Sequence, residues 1–343
     1  MQISTQVNYA GDVVKAADTV AKLENAGIDT VWIAEAYSFD AVSLMGYLAA
    51  KTEKVKIGSG ILNIYSRTPS CLGQTAAGLD AVTNGRAILG LGASGPQVIE
   101  GFHGIAYDRP LARTREIIEI CRKMWKREEP LTHTGIYNLP LPEGQGTGLG
   151  KALKLINHPV RNAIPIYVAS IGNKNVAMTA ELADGWLPIF YMPEQANDVW
   201  GAALKEGQAK RSADLGPLDV VAGGLFAIGD GLEGFRDFMR PQLALYIGGM
   251  GARGKNFYNE LACRYGFEEE AKAIQDLYLD GKKKEAAELV PAAMLEGMTM
   301  VGSEGYVKEK IAAFKESGVT NLQVMAVGSD PIADLEKLRA WVD

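Results

Sequence analysis

VKIGSGILNIYSRTP, residues 55–69, is the stretch on which the rest of the chain is organised. A short apolar strand from Val55 to Gly58 runs into a glycine-bearing turn. A polar segment from Asn63 to Thr68 follows, and Pro69 stands where a helix favours proline, in its first turn. Gly58 and Gly60 flank Ser59, so the strand end can be tight and can lie close to another surface. Taken alone this is a well-made strand-to-helix turn. It acquires weight because other strands of the chain end the same way.

Working outward, apolar strand patterns begin near residues 3, 29, 55, 87, 166, 184, 218 and 321. Helical spacing separates them, as in Gly11 to Ala26, with Gly27 as a C-terminal stop. About eight repeats of strand then helix predict an α/β fold, a closed (β/α)8 TIM barrel in a single domain over residues 1–343. An open doubly wound sheet is the alternative and needs fewer strands. Residues 128–163, rich in Pro and Gly, read as an insertion after the fourth helix, with room for a short hairpin. Residues 235–290, dense in Ala, Leu, Glu and Lys, read as extra helices towards the C-terminus.

Composition narrows the partners. The chain has 343 residues, 47% of them hydrophobic, and a formal net charge of −6. That balance suits an enzyme of small molecules and argues against a nucleic-acid surface. No apolar run reaches the roughly 18 residues needed to span a bilayer, and no signal peptide is visible. Cys71, Cys121 and Cys263 are distant and odd in number, so a reducing cytoplasm fits, with each thiol expected as a small buried hydrophobe. The three histidines, His103, His133 and His158, share no metal-ligand spacing, and no metal is expected.

Several strand ends carry chemistry. Gly90-Leu91-Gly92-Ala93-Ser94-Gly95 matches GxGxxG, but it lies in the fourth strand unit, and no acid-ended strand follows about 20 residues on. A dinucleotide fold is therefore set aside, while the glycines still imply a backbone open to close approach. Ala169-Ser170-Ile171-Gly172-Asn173-Lys174 is a phosphate candidate, because the helix that begins there offers unpaired amides and a positive dipole end. Ser170 or Asn173 could equally be a plain N-cap. Glu35, straight after Thr30-Val31-Trp32-Ile33-Ala34, is either a working carboxylate or a rim carboxylate in a salt bridge. Glu100 and His103, in QVIEGFHG, are the rival acid and base, with a purely structural His as the alternative. GxSxG is absent and no other nucleophile set can be argued, which points to a bound cofactor.

These residues together resemble a known family. TVWIAEAY, VKIGSGILNIYSRTP, GRAILGLGASGPQVIEGFHG, IPIYVASIGNKN, ELADGWLP and VGSEGYVKEKIAAFKESGV resemble, in order and over essentially the whole chain, the luciferase-like flavin and deazaflavin oxidoreductases. LGASGPQVIEGFHG with IYSRTP and ASIGNKN is most similar to the branch using coenzyme F420, which includes methylenetetrahydromethanopterin reductase. The resemblance implies a hydride-transferring, F420-dependent oxidoreductase acting on a small organic substrate. It also implies a bulge and a non-prolyl cis peptide after the third strand, here Gly60-Ile61. The cofactor ring is then expected on Ser59, Gly60, Ile61, Leu62, Asn63 and Thr68. Ala93, Ser94 and Gly95 are expected to line the channel, and Ala169, Ser170, Ile171, Gly172 and Asn173 to hold phosphate. Glu35 is expected beside the ring, as a ring ligand or proton carrier. Where several family members carry His after the second-strand acid, this chain has Ala36-Tyr37, so the substrate stays open. The competing functions are an FMN-dependent monooxygenase of the same fold and a cofactor-free binding barrel. A homodimer is the expected assembly.

Overall fold

A computed structural model describes residues 1–7 and 11–342. The strands are β1 (Gln2–Val7), β2 (Thr30–Ile33), β3 (Lys56–Ser59), β4 (Leu62–Asn63), β5 (Ala87–Gly92), β6 (Ile166–Ala169), β7 (Gly185–Leu187), β8 (Asp219–Ile228), β9 (Met300–Gly302) and β10 (Asn321–Ala326). All pairings between them are parallel. The order β1-β2-β3-β5-β6-β7-β8-β10 returns to β1 and closes an eight-staved barrel. β4 continues the stave of β3, and β9 pairs with the C-terminal end of β8. Neither short strand is separately expected from the sequence pattern; both are too brief to show a period of two.

Helices α1 (Val13–Asn25), α2 (Ala41–Lys51), α3 (Pro69–Val82), α4 (Pro96–Gly101), α5 (Pro110–Lys126), α6 (Asn173–Leu182) and α7 (Ala196–Gln208) follow the first six staves. After β8 come α8 (Arg240–Ala244), α9 (Phe257–Arg264), α10 (Glu268–Leu279), α11 (Lys283–Glu288) and α12 (Ala292–Gly297). α13 (Glu304–Glu316) leads into β10, and α14 (Pro331–Val342) ends the chain. Caps fix the starts where the sequence places them: Asp12, Asp40, Thr68 and Ser303 each accept a first-turn amide of the helix they precede.

Two cores result. The large one lies between barrel and helices. A smaller one, Trp32, Ile88, Tyr167 and Val221, fills the barrel interior. Gly58 lets the Trp32 ring lie against the β3 backbone, since a Cβ there would be 2.4 Å from the indole.

The chain between α5 and β6 forms one antiparallel bridge, His133 to Leu139. It is fastened to α5 by Glu116, which accepts the amides of Ile136 and Tyr137 and bonds His133. Burial opposes the Glu116 charge, but those donors outweigh it and hold its carboxyl below the usual range. Cys121 is buried and its thiol is pushed up to about 12 by desolvation. Cys71 is exposed and Cys263 half-buried, which corrects the expectation that all three are buried.

The junction of β3 and β4 organises the rim. Gly58 pairs with Ile88, but Leu62 pairs with Leu91, so one stave advances four residues while its neighbour advances three. The extra residue makes a bulge, and within it the Gly60-Ile61 peptide is cis. Ser59 bridges the interrupted ladder: its Oγ donates to Gly90 O at 2.9 Å and accepts from Gly90 N at 2.8 Å. Ser59→Ala would leave both buried backbone groups of Gly90 unpaired. It is expected to cost about 2–3 kcal/mol, read as a lower urea midpoint with an unchanged slope.

Candidate active site

The sheet register brings the separated sequence stretches to one level. Asn63 lies beside Gly92, Gly92 beside Ala169, and Ala169 beside Leu187. The loops that leave this row are the C-terminal rim of the barrel, where βα-loops build sites in this fold. At its centre is a small apolar floor. A Cβ on Gly92 would be 2.8 Å from Ile61 Cγ1 and 3.5 Å from Ala169 Cβ. Gly92 therefore allows the Ile61 side chain to lie flat across the strand, and Ile61 and Ala169 stay partly accessible.

Leu62 points the other way and is fully buried in the outer core, which corrects its placement under a ring. Ser59, with no exposure and its hydroxyl held by Gly90, is likewise removed from any ligand. Asn63 is also inward. Its Oδ1 accepts the amides of Tyr65 and Ser66 and shapes that turn, and its Nδ2 lies 3.3 Å from His103 Nε2. Because the Asn63 oxygen is identified by two donors, its amide nitrogen is the donor to His103. Nε2 of His103 is then the acceptor, and the ring proton is on Nδ1. Thr68 caps α3 by accepting from Cys71 N.

The start of α6 is open. Gly172 is its N-cap, with no side-chain cap bond, and a Cβ on Gly172 would meet nothing within 4 Å. The first-turn amides there are the anion-binding end of the helix. Ser170 does not take part through its side chain: it is buried, with Oγ on Thr179 Oγ1 at 2.9 Å. Instead Arg264, from α9, reaches Asn173 Oδ1 at 2.6 Å and stands over the Trp200 ring. Arg264 lies 91 residues from Asn173, and no local signal in the sequence points to it. In the β5 loop, Ala93 packs on the core, Ser94 is exposed with φ 56°, and Gly95 faces open space. Tyr107 Oη donates to Ser94 O at 3.4 Å, and its ring is 5.3 Å from that of Tyr65.

Beside the floor is a cleft of about 240 Å³ edged by Glu35, Asp40, Ser66, Arg67, Phe102 and His103. Of the two readings of Glu35, the ion-paired one is found. Arg67 Nη1 donates to Oε1 at 2.6 Å and Nη2 to Oε2 at 2.8 Å, and Ala41 N adds a bond to Oε2 at 3.0 Å. The pair is largely enclosed, with side-chain exposures of 8% and 17%. The hydrogen bond to Glu35 raises the Arg67 pKa still further. Burial works against the charge on Asp40, yet the Ser43 hydroxyl and amide and the nearby Arg67 keep its carboxyl below the usual range. Glu100 lies outside this cleft; it is exposed and accepts Tyr107 N at 3.1 Å, tying its own loop. Arg67 and Asp40 are the charged cleft residues that the sequence pattern does not single out, although Arg67 stands in IYSRTP.

A larger cavity, about 590 Å³, lies away from the rim, between the outer face of α3 and residues 153–159. Its lining includes Gln74, Ala77, Leu153 and Ile156 but no residue of the rim loops, so it is not the site of chemistry. Among the described residues, no group of three or more His, Cys, Asp or Glu could hold a metal ion, and no helix is long and apolar enough to cross a membrane.

A closed parallel barrel with a bulged third stave and an open sixth helix defines the class. The chain belongs to the luciferase-like monooxygenase family, which it matches over residues 1–321. It is 40% identical, over 98% of its length and 99% of the relative's, to a Mycobacterium tuberculosis protein named as a coenzyme F420-dependent oxidoreductase. It is 26% identical to 5,10-methylenetetrahydromethanopterin reductase of Archaeoglobus fulgidus, over 92% of this chain and 89% of that one. Among solved structures, the F420-dependent tetrahydromethanopterin reductase of Methanopyrus kandleri superposes with a TM-score of 0.77 at 24% identity, covering 98% of this chain and 96% of that chain.

Proposed function

We propose that this protein is an F420-dependent oxidoreductase that transfers a hydride between the deazaflavin and a small organic substrate. The observation that carries the reading is the pairing of an apolar floor (Ile61, Gly92, Ala169) with an uncapped, unobstructed helix start at Gly172. A flat ring needs the first and a phosphate needs the second. The full-length relative named for F420 supports the same cofactor. Bound there, the deazaflavin supplies or accepts the hydride.

The chain's own groups do the rest. Ile61 and Ala169 keep water from one face of the floor. The α6 amides hold the anionic end, with Asn173 steadied by Arg264. Glu35 fixes Arg67 and the start of α2 at the cleft edge. His103, held through Nε2 by Asn63, keeps an Nδ1 proton to give to substrate oxygen, or takes one in the reverse direction. Glu35 is the other group that could move this proton, but its two oxygens already carry three donors.

Gly172→Val tests the anion site. The residue has φ −70° and ψ 142°, which valine adopts without strain, and the space around it is free. The variant is expected to fold normally and to raise the F420 dissociation constant at least tenfold, about 1.4 kcal/mol. Unchanged affinity in a fluorescence titration would move the phosphate elsewhere. FMN is the rival occupant, because the family is named for monooxygenases. The same titration with FMN decides between them. We place this activity in a single barrel domain over residues 1–343, acting as a homodimer in the cytoplasm. The three unpaired cysteines support a reducing compartment.

A further inference from the structure

The rim cleft contains more charge than a neutral pocket needs, and its sign is informative. Glu35, Asp40 and Arg67 are its ionisable edges besides His103. Arg67 is the single cation among the lining residues, and both of its terminal nitrogens are already bonded to Glu35. A guanidinium recognises carboxylate or phosphate through that same two-pronged fork. With the fork occupied, the two-pronged geometry that grips a carboxylate or phosphate is no longer offered to a substrate, and Nη1 also reaches Ser66 Oγ at 3.4 Å. Asp40, its ionised form held by Ser43 and the nearby Arg67, then leaves the ionised edges of the cleft with two carboxylates against one guanidinium. His103 accepts from Asn63 through Nε2 and so adds no positive charge in this arrangement. Around the mouth, Tyr37, Phe39 and Phe102 are 60%, 75% and 64% exposed, and the Tyr37 and Phe102 rings lie 6.4 Å apart. Exposed aromatic rings at the lip of a cleft offer flat apolar area to a ligand.

We infer that the cleft selects substrates that are neutral or cationic, with a flat apolar body and a carbonyl-type head, and excludes carboxylates and phosphates. The inference rests on the cofactor reading above, since the substrate must reach the ring floor that His103 and Asn63 adjoin. Arg67 is thus a structural counter-ion to Glu35 and not an anion receptor. Anion recognition is confined to the α6 start, on a different stave. The separation keeps the cofactor's charged end from competing with substrate for one arginine.

Three probes of one shape test this: para-formylbenzamide, para-formylbenzoate and para-formyl-N,N,N-trimethylanilinium. Each is titrated calorimetrically, at low salt, into the protein saturated with oxidised F420. The amide and the ammonium compound are expected to bind at least tenfold tighter than the carboxylate. Added salt should narrow the gap, because the discrimination is electrostatic. Glu35→Gln removes one negative charge and frees part of the Arg67 fork, while its carbonyl can still accept from Ala41 N. In that variant the gap is expected to fall below threefold. Asp40→Asn, which keeps a good helix cap, should narrow it as well and serves if Glu35→Gln does not fold. Equal or tighter carboxylate binding by the unaltered protein overturns the inference, as does a gap unchanged in both variants. If none of the probes binds while F420 does, the inference falls and the cofactor reading stands. Failure of F420 itself to bind overturns the cofactor reading instead.

Discussion

His103→Ala is expected to lower turnover about 100-fold while F420 affinity stays within twofold, the low end of general acid–base effects. A two-electron reduction of a neutral acceptor by hydride needs one proton at the site. Of the groups on the cleft edge, Glu35 is bonded by Arg67 and by Ala41 N, Asp40 by Ser43, and Arg67 by Glu35. His103 alone combines a ring orientation set by a neighbour with a proton on the opposite nitrogen. Its position is further restrained by Phe102, whose ring meets it edge-on at 5.1 Å. The measurement is steady-state turnover followed by deazaflavin absorbance, beside a separate cofactor titration. His103→Asn should be as slow as the alanine variant, because it restores a polar contact but no proton carrier. Should Glu35→Gln lose the hundredfold instead, with His103→Ala near full rate, the proton passes through the carboxylate.

Gly90→Ala is expected to remove more than about 4 kcal/mol of folding stability, among the largest single-residue effects. The ideal Cβ would be 1.7 Å from Ser59 O and 2.9 Å from Ser59 C, both backbone atoms. No rotamer relieves such a contact. The bulge would have to leave β5, breaking the two bonds between Ser59 and Gly90 and displacing Ile61 from the floor. Since a domain has in all about 5–15 kcal/mol of stability, soluble yield should fall sharply. Denaturant unfolding of whatever is recovered gives the number. A normal midpoint would mean that β3 and β5 do not approach as closely as described. Gly95→Ala, at an open position of the same motif, is the control and should leave the midpoint unchanged.

The contrast between those two glycines shows how much the sequence carries. GLGASG reads locally as a ligand loop, and a dinucleotide motif is correctly set aside from its place in strand order. Its three glycines nevertheless have separate uses. Gly90 makes room for the Ser59 backbone, Gly92 for the Ile61 side chain, and Gly95 for nothing within reach. The motif alone cannot separate them, because the partners come from β3 and the bulge, about thirty residues earlier in the chain.

The eight staves and the closed barrel were legible in the sequence itself, while the short strands β4 and β9 were not. Each βα unit carries its own period, its turn glycines and its caps, and these are short-range properties that survive without neighbours. The open α6 start at Gly172 was legible for the same reason: a strand end, small residues and a helix start are contiguous. Partnership was decided only by the tertiary structure. Glu35 meets Arg67 across 32 positions, Asn63 meets His103 across 40, and Arg264 meets Asn173 across 91. Closing the barrel sets those pairs side by side, so it also settles which polar groups are already bonded and which remain open to a ligand. A carboxylate's chemistry depends on that difference, and its own residue type cannot record it.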